Sequence, residues 1–169
     1  SLPPVVKGVE KTATILATRR NVPENGYTRF KGHHYGNNVF ARFELPSLAT
    51  QEGIFLTAED IVAEGITSNV FWVKGSVVYT PSLNTGILAG VTRGFVLELV
   101  HQLGYEVQEG QYNVSELLEA KECFITNAVQ QIVPIRSLGN VTFLGNEGSI
   151  TKEIQRAYEQ LIELRLKGE

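Results

Sequence analysis

The chain has 169 residues, a formal net charge of −3, 43% hydrophobic residues and 20% charged residues; this suits one domain, or two very small ones, and excludes wholesale disorder. The balanced charge leaves no electrostatic footprint for nucleic acid or an anionic membrane, and a single cysteine excludes an internal disulfide. No apolar run approaches the roughly 18 residues of a membrane span and no signal peptide opens the sequence, so the expected location is the cytoplasm.

Residues 1–7, SLPPVVK, carry two adjacent prolines that oppose a helix and read as a linker. Residues 12–20 (TATILATRR) are β-branched and predict a strand, and 21–26 (NVPENG) a turn. The polar stretch 27–38, YTRFKGHHYGNN, has little periodicity; a helix is expected over 38–49 with Val39, Phe40 and Phe43 as its apolar face. Strands are expected at 54–56 and 61–64. A hairpin should pair 70–73 with 77–80 around a glycine turn at 74–76. Residues 81–90 form a glycine-bearing loop. A helix follows from 91 or 92 to about 103, with Phe95, Val96, Leu99 and Val100 at helical spacing and Gly104 as the stop. A strand at 105–110 precedes a short helix to about 120, with Ser115 as a plausible cap. Strands at 123–126, 131–135 and 141–144 lead to a last helix from 150 to about 167, capped by Ser149. Many short strands with hairpins predict a curled, mostly antiparallel sheet system with interspersed helices, not a doubly wound sheet.

Four segments could carry chemistry. Lys31 sits between Phe30 and Gly32 at a strand-to-helix junction; a partly buried lysine has a lowered pKa and a nucleophilic amine, whereas an exposed one is ordinary surface. The adjacent pair His33-His34 is poorly spaced for one metal ion, and no clustered Cys or His supplies further ligands. Glu64, in the apolar run before Gly65, either needs a cation or hydrogen-bond donor or is a hydrated residue of an edge strand. In GILAGVTR (86–93), glycines lead into a helix whose first amides lack internal partners; this suits a phosphate but also an ordinary loop-to-helix junction. Thr126-Asn127-Ala128 is small and polar between two apolar strands and says little alone.

FKGHHYGNNVFAR, EGIFL, AEGITSNVFWVKG, YTPSLNTGILAGVTR and FITNAVQQIVPI follow one another across nearly the whole chain. In this order they resemble the class IV, D-amino-acid aminotransferase-like family of pyridoxal 5′-phosphate enzymes, and within it most of all the bacterial aminodeoxychorismate lyases. The resemblance implies the fold: a mixed α/β (α+β) domain whose mostly antiparallel sheets curl into a pseudo-barrel with flanking helices. It also implies the organisation: residues 1–7 as interdomain linker and 8–169 as the larger, C-terminal cofactor-binding domain, with a smaller N-terminal domain absent from this sequence. That domain would supply one wall of the cleft and an arginine for the cofactor phosphate.

Carried across residue by residue, Lys31 matches the lysine that holds the cofactor covalently and acts as general base. Glu64 matches the carboxylate facing the pyridine nitrogen. The amides of Val91 and Thr92, with the Thr92 hydroxyl, match the phosphate-binding helix start. Asn127 and Ala128 occupy the second phosphate-side loop, where aminotransferases tend to carry hydroxyl or small residues, so this pair looks lyase-like. Tyr35 falls one position short of a tyrosine found in branched-chain relatives and takes no role from it. Arg93 either bonds Glu64 or forms a structural ion pair, the second being favoured. Lys7, Lys11 and Lys74, the rival lysines, stand in contexts that predict exposure.

The implied activity is conversion of 4-amino-4-deoxychorismate to p-aminobenzoate and pyruvate, in folate biosynthesis. Two alternatives remain: an aminotransferase of the same family for D-amino or branched-chain amino acids, and an inactive isolated domain or dimerisation scaffold. The implied partners are a small-molecule substrate, the N-terminal domain and a second copy, with no nucleic acid, membrane or metal.

Overall fold

Strand β4 (Asn69–Lys74) turns through Gly75, at φ 62°, into β5 (Val77–Pro81), the hairpin expected from the sequence. A side chain at Gly75 would have to adopt the left-handed conformation that glycine tolerates best. In this computed structural model, residues 8–20, 36–47 and 49–167 are described. The remaining strands are β1 (Lys11–Ile15), β2 (Gln51–Leu56), β3 (Val62–Gly65), β6 (Glu106–Gly110), β7 (Glu122–Asn127), β8 (Gln131–Leu138) and the short β9 (Val141–Thr142). The helices are α1 (Gly36–Arg42), α2 (Val91–Gln102), α3 (Val114–Leu118) and α4 (Ser149–Lys167).

The nine strands of the described residues join one sheet in the order β3-β2-β1-β8-β7-β4-β5-β6, with β9 beside β8. Most pairings are antiparallel, as expected, but β1 runs parallel to both β2 and β8, and β6 runs parallel to β5. The sheet curls until its ends meet. Ile61 bridges Asn113, and the Val62 amide donates to the Tyr112 carbonyl at 2.8 Å. Apolar side chains from β1, β2, β4, β7 and β8, including Ile54, Val70, Trp72, Ile125 and Ile135, fill one face of the curl. On the other face α2 and α4 pack over Phe71, Val73, Val78 and Phe124. A third apolar group joins α1 to the β2–β3 end: Leu16, Ala41, Leu45, Phe55, Ala63, Ile66 and Ile87.

Several expectations require correction. The first strand stops at Ile15, short of residue 20: the amides of Ala17 and Thr18 turn to the Glu44 carboxylate, at 2.6 and 2.9 Å, and leave the ladder. Helix α1 ends at Arg42, and Val39, Phe40 and Phe43 are exposed, not buried. Its inner face carries Asn38 and Ala41, and Leu45 is buried just past its end; the side chains of Asn37 and Asn38 bond the Arg19 and Ile66 carbonyls and fix that roll. The cap of α3 is Asn113, whose amide donates to Glu116 at 2.8 Å, so Ser115 lies inside the helix. Lys11 is buried at 4% exposure, not exposed, because β1 lies in mid-sheet and the ammonium donates to Gln130 Oε1.

Candidate active site

β3 is the last strand in the sheet order, which would normally hydrate a glutamate on it. Glu64 is instead buried, with its side chain 7% exposed. Ala63, its neighbour, packs in the apolar group under α1, and strand alternation sends Glu64 the other way. Both carboxylate oxygens are engaged. Oε1 lies 2.7 Å from Arg20 Nη2, and Oε2 accepts the Leu88 amide at 2.9 Å. Burial pushes the Glu64 carboxyl above the usual carboxylate range; the Arg20 charge and the Leu88 amide pull against that rise. Arg20 is itself placed by β2, since its amide donates to the Leu56 carbonyl at 2.7 Å.

Leu88 is gripped from both sides. Its carbonyl accepts from Asn69 Nδ2, also at 2.9 Å, so two residues of AEGITSN hold the backbone of one residue of GILAG. The same loop ends at Gly90, the extended cap of α2. A Cβ on Gly90 would stand 2.2 Å from Asn69 Oδ1, so only glycine permits this approach. Glu64 and Asn69 thereby fix the entry to α2 through two short covalent steps. At the α2 start Val91 is exposed while Thr92 and Arg93 are buried. The amides of Val91 and Thr92 belong to the first turn, which has no acceptors within the helix, and the helix dipole adds a positive end there.

Asn127 closes β7 in the same neighbourhood: Thr126 is the cross-strand partner of Asn69. Asn127 Oδ1 accepts the amides of Val129 and Gln130, at 3.0 and 2.7 Å, and so shapes the turn into β8. Ala128 is exposed on that turn. Thr126, 1% exposed, keeps a buried hydroxyl with no hydrogen-bond partner among the described residues. Arg93 bonds the Pro81 carbonyl at 3.0 Å and Glu109 at 2.5 Å; it clamps α2 to β5 and β6 and does not reach Glu64 in these bonds, the structural role expected.

Glu64, Asn69, Thr126, Asn127 and the start of α2 are thus linked. Lys31, His33, His34 and Tyr35 lie outside the described residues. Sequence reasoning missed Arg20, Asn69 and Leu88. Arg20 had a signal: a buried glutamate demands a cation, and the Arg19-Arg20 pair ends the first strand-like run. No cluster of His, Cys, Asp and Glu suited to a metal occurs among the described residues, and no helix among them is long and apolar enough to cross a membrane.

A buried carboxylate is thus tied to a helix start whose first-turn amides have no partner within the helix, on a curled sheet. The chain belongs to the amino-transferase class IV family, whose description matches residues 1–138; the family implies pyridoxal 5′-phosphate as cofactor. It is 44% identical over 154 residues to an aminodeoxychorismate lyase of Bacillus subtilis, covering 91% of this chain and 52% of that protein. It is 34% identical over 154 residues to a branched-chain-amino-acid aminotransferase of Pseudomonas aeruginosa, covering 90% and 50%. The fold superposes, with a TM-score of 0.85 and 29% identity, on a crystal structure of an aminotransferase from Brucella abortus bound to the cofactor PLP, over 94% of this chain and 56% of that one. The chain spans about half the length of the curated relatives it matches.

Proposed function

We propose that this chain is the cofactor-binding half of an aminodeoxychorismate lyase, which converts 4-amino-4-deoxychorismate to p-aminobenzoate and pyruvate in the cytoplasm. The observation that carries the reading is Glu64: a buried carboxylate, paired with Arg20, whose other oxygen holds the loop that enters α2. The residues suit pyridoxal phosphate chemically. A carboxylate is what a pyridine nitrogen needs to stay protonated, and free first-turn amides with a buried threonine are what a phosphate dianion needs. The orphaned Thr126 hydroxyl and the glycine-only approach at Gly90 mark a cradle made for close contact.

In this reading Lys31 holds the cofactor covalently, Glu64 faces the ring nitrogen, and the amides of Val91 and Thr92 with the Thr92 hydroxyl take the phosphate. The Asn127-Ala128 turn adds its second side. Bound pyridoxal phosphate supplies the electron sink for the substrate carbon that bears the amine. Lys31 Nζ would remove the proton from that carbon as general base. The bond between the ring carbon and the enolpyruvyl oxygen would then break as the ring becomes aromatic, and the departing enolpyruvate would take up a proton at its methylene carbon to become pyruvate. Aromatisation supplies much of the driving force, so the protein's work is orientation and one proton transfer.

Arg20 stands against the Glu64 carboxylate where water cannot, and opposes the rise that burial imposes on it. A companion N-terminal domain, a second copy of the chain and a small-molecule substrate complete the proposal; the exposed Val39, Phe40 and Phe43 are apolar surface for a partner to cover.

The greater identity to the lyase than to the aminotransferase favours lyase activity. Pyruvate release from 4-amino-4-deoxychorismate by the complete enzyme, with no keto acid added, tests it. Turnover that requires a keto-acid acceptor would establish the aminotransferase alternative instead.

A further inference from the structure

We propose that Glu52 is a positioning residue of this site: its carboxylate anchors the turn between β3 and β4 and thereby sets where Glu64 and Asn69 stand. The inference rests on the reading of those residues as cofactor-site residues.

Glu52 lies on β2 and is 3% exposed, with no direct contact to Glu64 among its hydrogen bonds. Its Oε1 accepts the amides of Ile66, at 3.0 Å, and Gly53, at 3.2 Å. Its Oε2 accepts the Ser68 hydroxyl at 3.1 Å. Ile66 and Ser68 belong to the turn whose two ends are Glu64 and Asn69, the pair that grips Leu88. The turn is drawn tightly onto the carboxylate. A Cβ on Gly65 would stand 2.0 Å from Ser68 Oγ and 3.1 Å from Glu52 Cδ, which leaves no room for a side chain.

A core of this kind has no need of a carboxylate for volume. Burying one is costly unless donors surround it, and two of the three donors to Glu52, the Ile66 amide and the Ser68 hydroxyl, come from this turn. The compensating charge is Lys11, which is also buried and donates to Gln130 Oε1 at 3.2 Å. Gln130 in turn donates its amide to Asn127 Oδ1 at 2.7 Å. Glu52 and its counter-charge therefore stand between the turn that carries Glu64 and the turn that carries Asn127, so a shift at Glu52 reaches both sides of the cofactor.

The test is pyridoxal phosphate affinity of the holoenzyme that carries this chain, with amide exchange over residues 65–69 in its cofactor-free form. Glu52→Ala should weaken cofactor affinity about tenfold or more, since charge-assisted hydrogen bonds are lost, and should speed exchange in the turn but not in β8. Glu52→Gln, which keeps the volume and one acceptor, should recover affinity to within about threefold. Ser68→Ala, which removes a single bond at the rim of the turn, should fall between them and serves if Glu52→Ala does not fold. Unchanged cofactor affinity in Glu52→Ala, or in Ser68→Ala where the former is unfolded, would reduce Glu52 to a core carboxylate and overturn this proposal alone. A wild-type enzyme that binds no pyridoxal phosphate would overturn the cofactor reading and this proposal with it.

Discussion

Arg20 Nη2 stands 2.7 Å from Glu64 Oε1, with both side chains less than a tenth exposed. Such a pair contributes little net stability, yet breaking it from one side leaves a buried charge without its partner, at about 3–5 kcal/mol. Arg20→Leu should therefore destabilise the protein by about that amount and move the Glu64 carboxyl further up, as burial then acts against the Leu88 amide alone. Denaturant titration checks the first effect. A loss under about 1 kcal/mol would place the pair in effective contact with water.

Glu64→Gln keeps the shape but removes the charge. Cofactor should be retained, and turnover should fall about a hundredfold or more, the scale of a positioned electrostatic contact. Steady-state kinetics with a cofactor-content measurement checks it; unchanged turnover would mean that the carboxylate has no part in the chemistry.

Gly90→Ala should loosen the entry to α2. The new Cβ would fall 2.2 Å from Asn69 Oδ1, so either the Asn69 bond to the Leu88 carbonyl breaks or the loop shifts. Overpacking of this kind costs about 1–3 kcal/mol. Weaker phosphate binding, read by 31P NMR titration, should accompany a lower unfolding midpoint; an unaltered protein would show that this loop adapts freely.

The pH dependence of stability carries the signature of Glu52 and Glu64. Burial, the largest cause, raises both carboxyls above their ordinary value. The folded state then binds protons more tightly than the unfolded state in the window from the ordinary glutamate value up to the raised folded values. Stability contributed by these groups is full below that window and falls as pH rises through it. Glu52→Gln, which does not titrate, should show a shallower fall. Melting temperatures across pH 4 to 8, about the range in which such a shift is read, check this; parallel curves for the two proteins would contradict it.

The hairpin at Gly75, helix α2 with its Gly104 stop and helix α4 were legible in the sequence because each has a local cause, a turn glycine or a 3.6-residue apolar period. The cap expected at Ser149 needs correction: Ser149 is the first residue of α4, and the amides of Ile150 and Thr151 donate to the distant Glu122 carboxylate at 3.3 and 2.8 Å. The burial of Lys11 was not legible, since it follows from β1 lying between β2 and β8, partners about forty and a hundred and twenty residues away in sequence. The roll of α1 was misread for a similar reason. Phe40 and Phe43 look like a core stripe, but the bonds of Asn37 and Asn38 to distant carbonyls decide which face turns inward. At the site, Glu64 and the α2 start could be singled out from motifs as candidates. The backbone of Leu88 that ties them together could not, because backbone contacts leave no trace in residue type.

The central claim is that this site holds pyridoxal phosphate through Lys31. Borohydride treatment of the complete enzyme with pyridoxal phosphate, followed by peptide mass mapping, tests it most directly. A fixed adduct is expected on Lys31 and none in Lys31→Ala. An adduct on Lys11, the lysine buried in β1, or no adduct on any lysine, would contradict it.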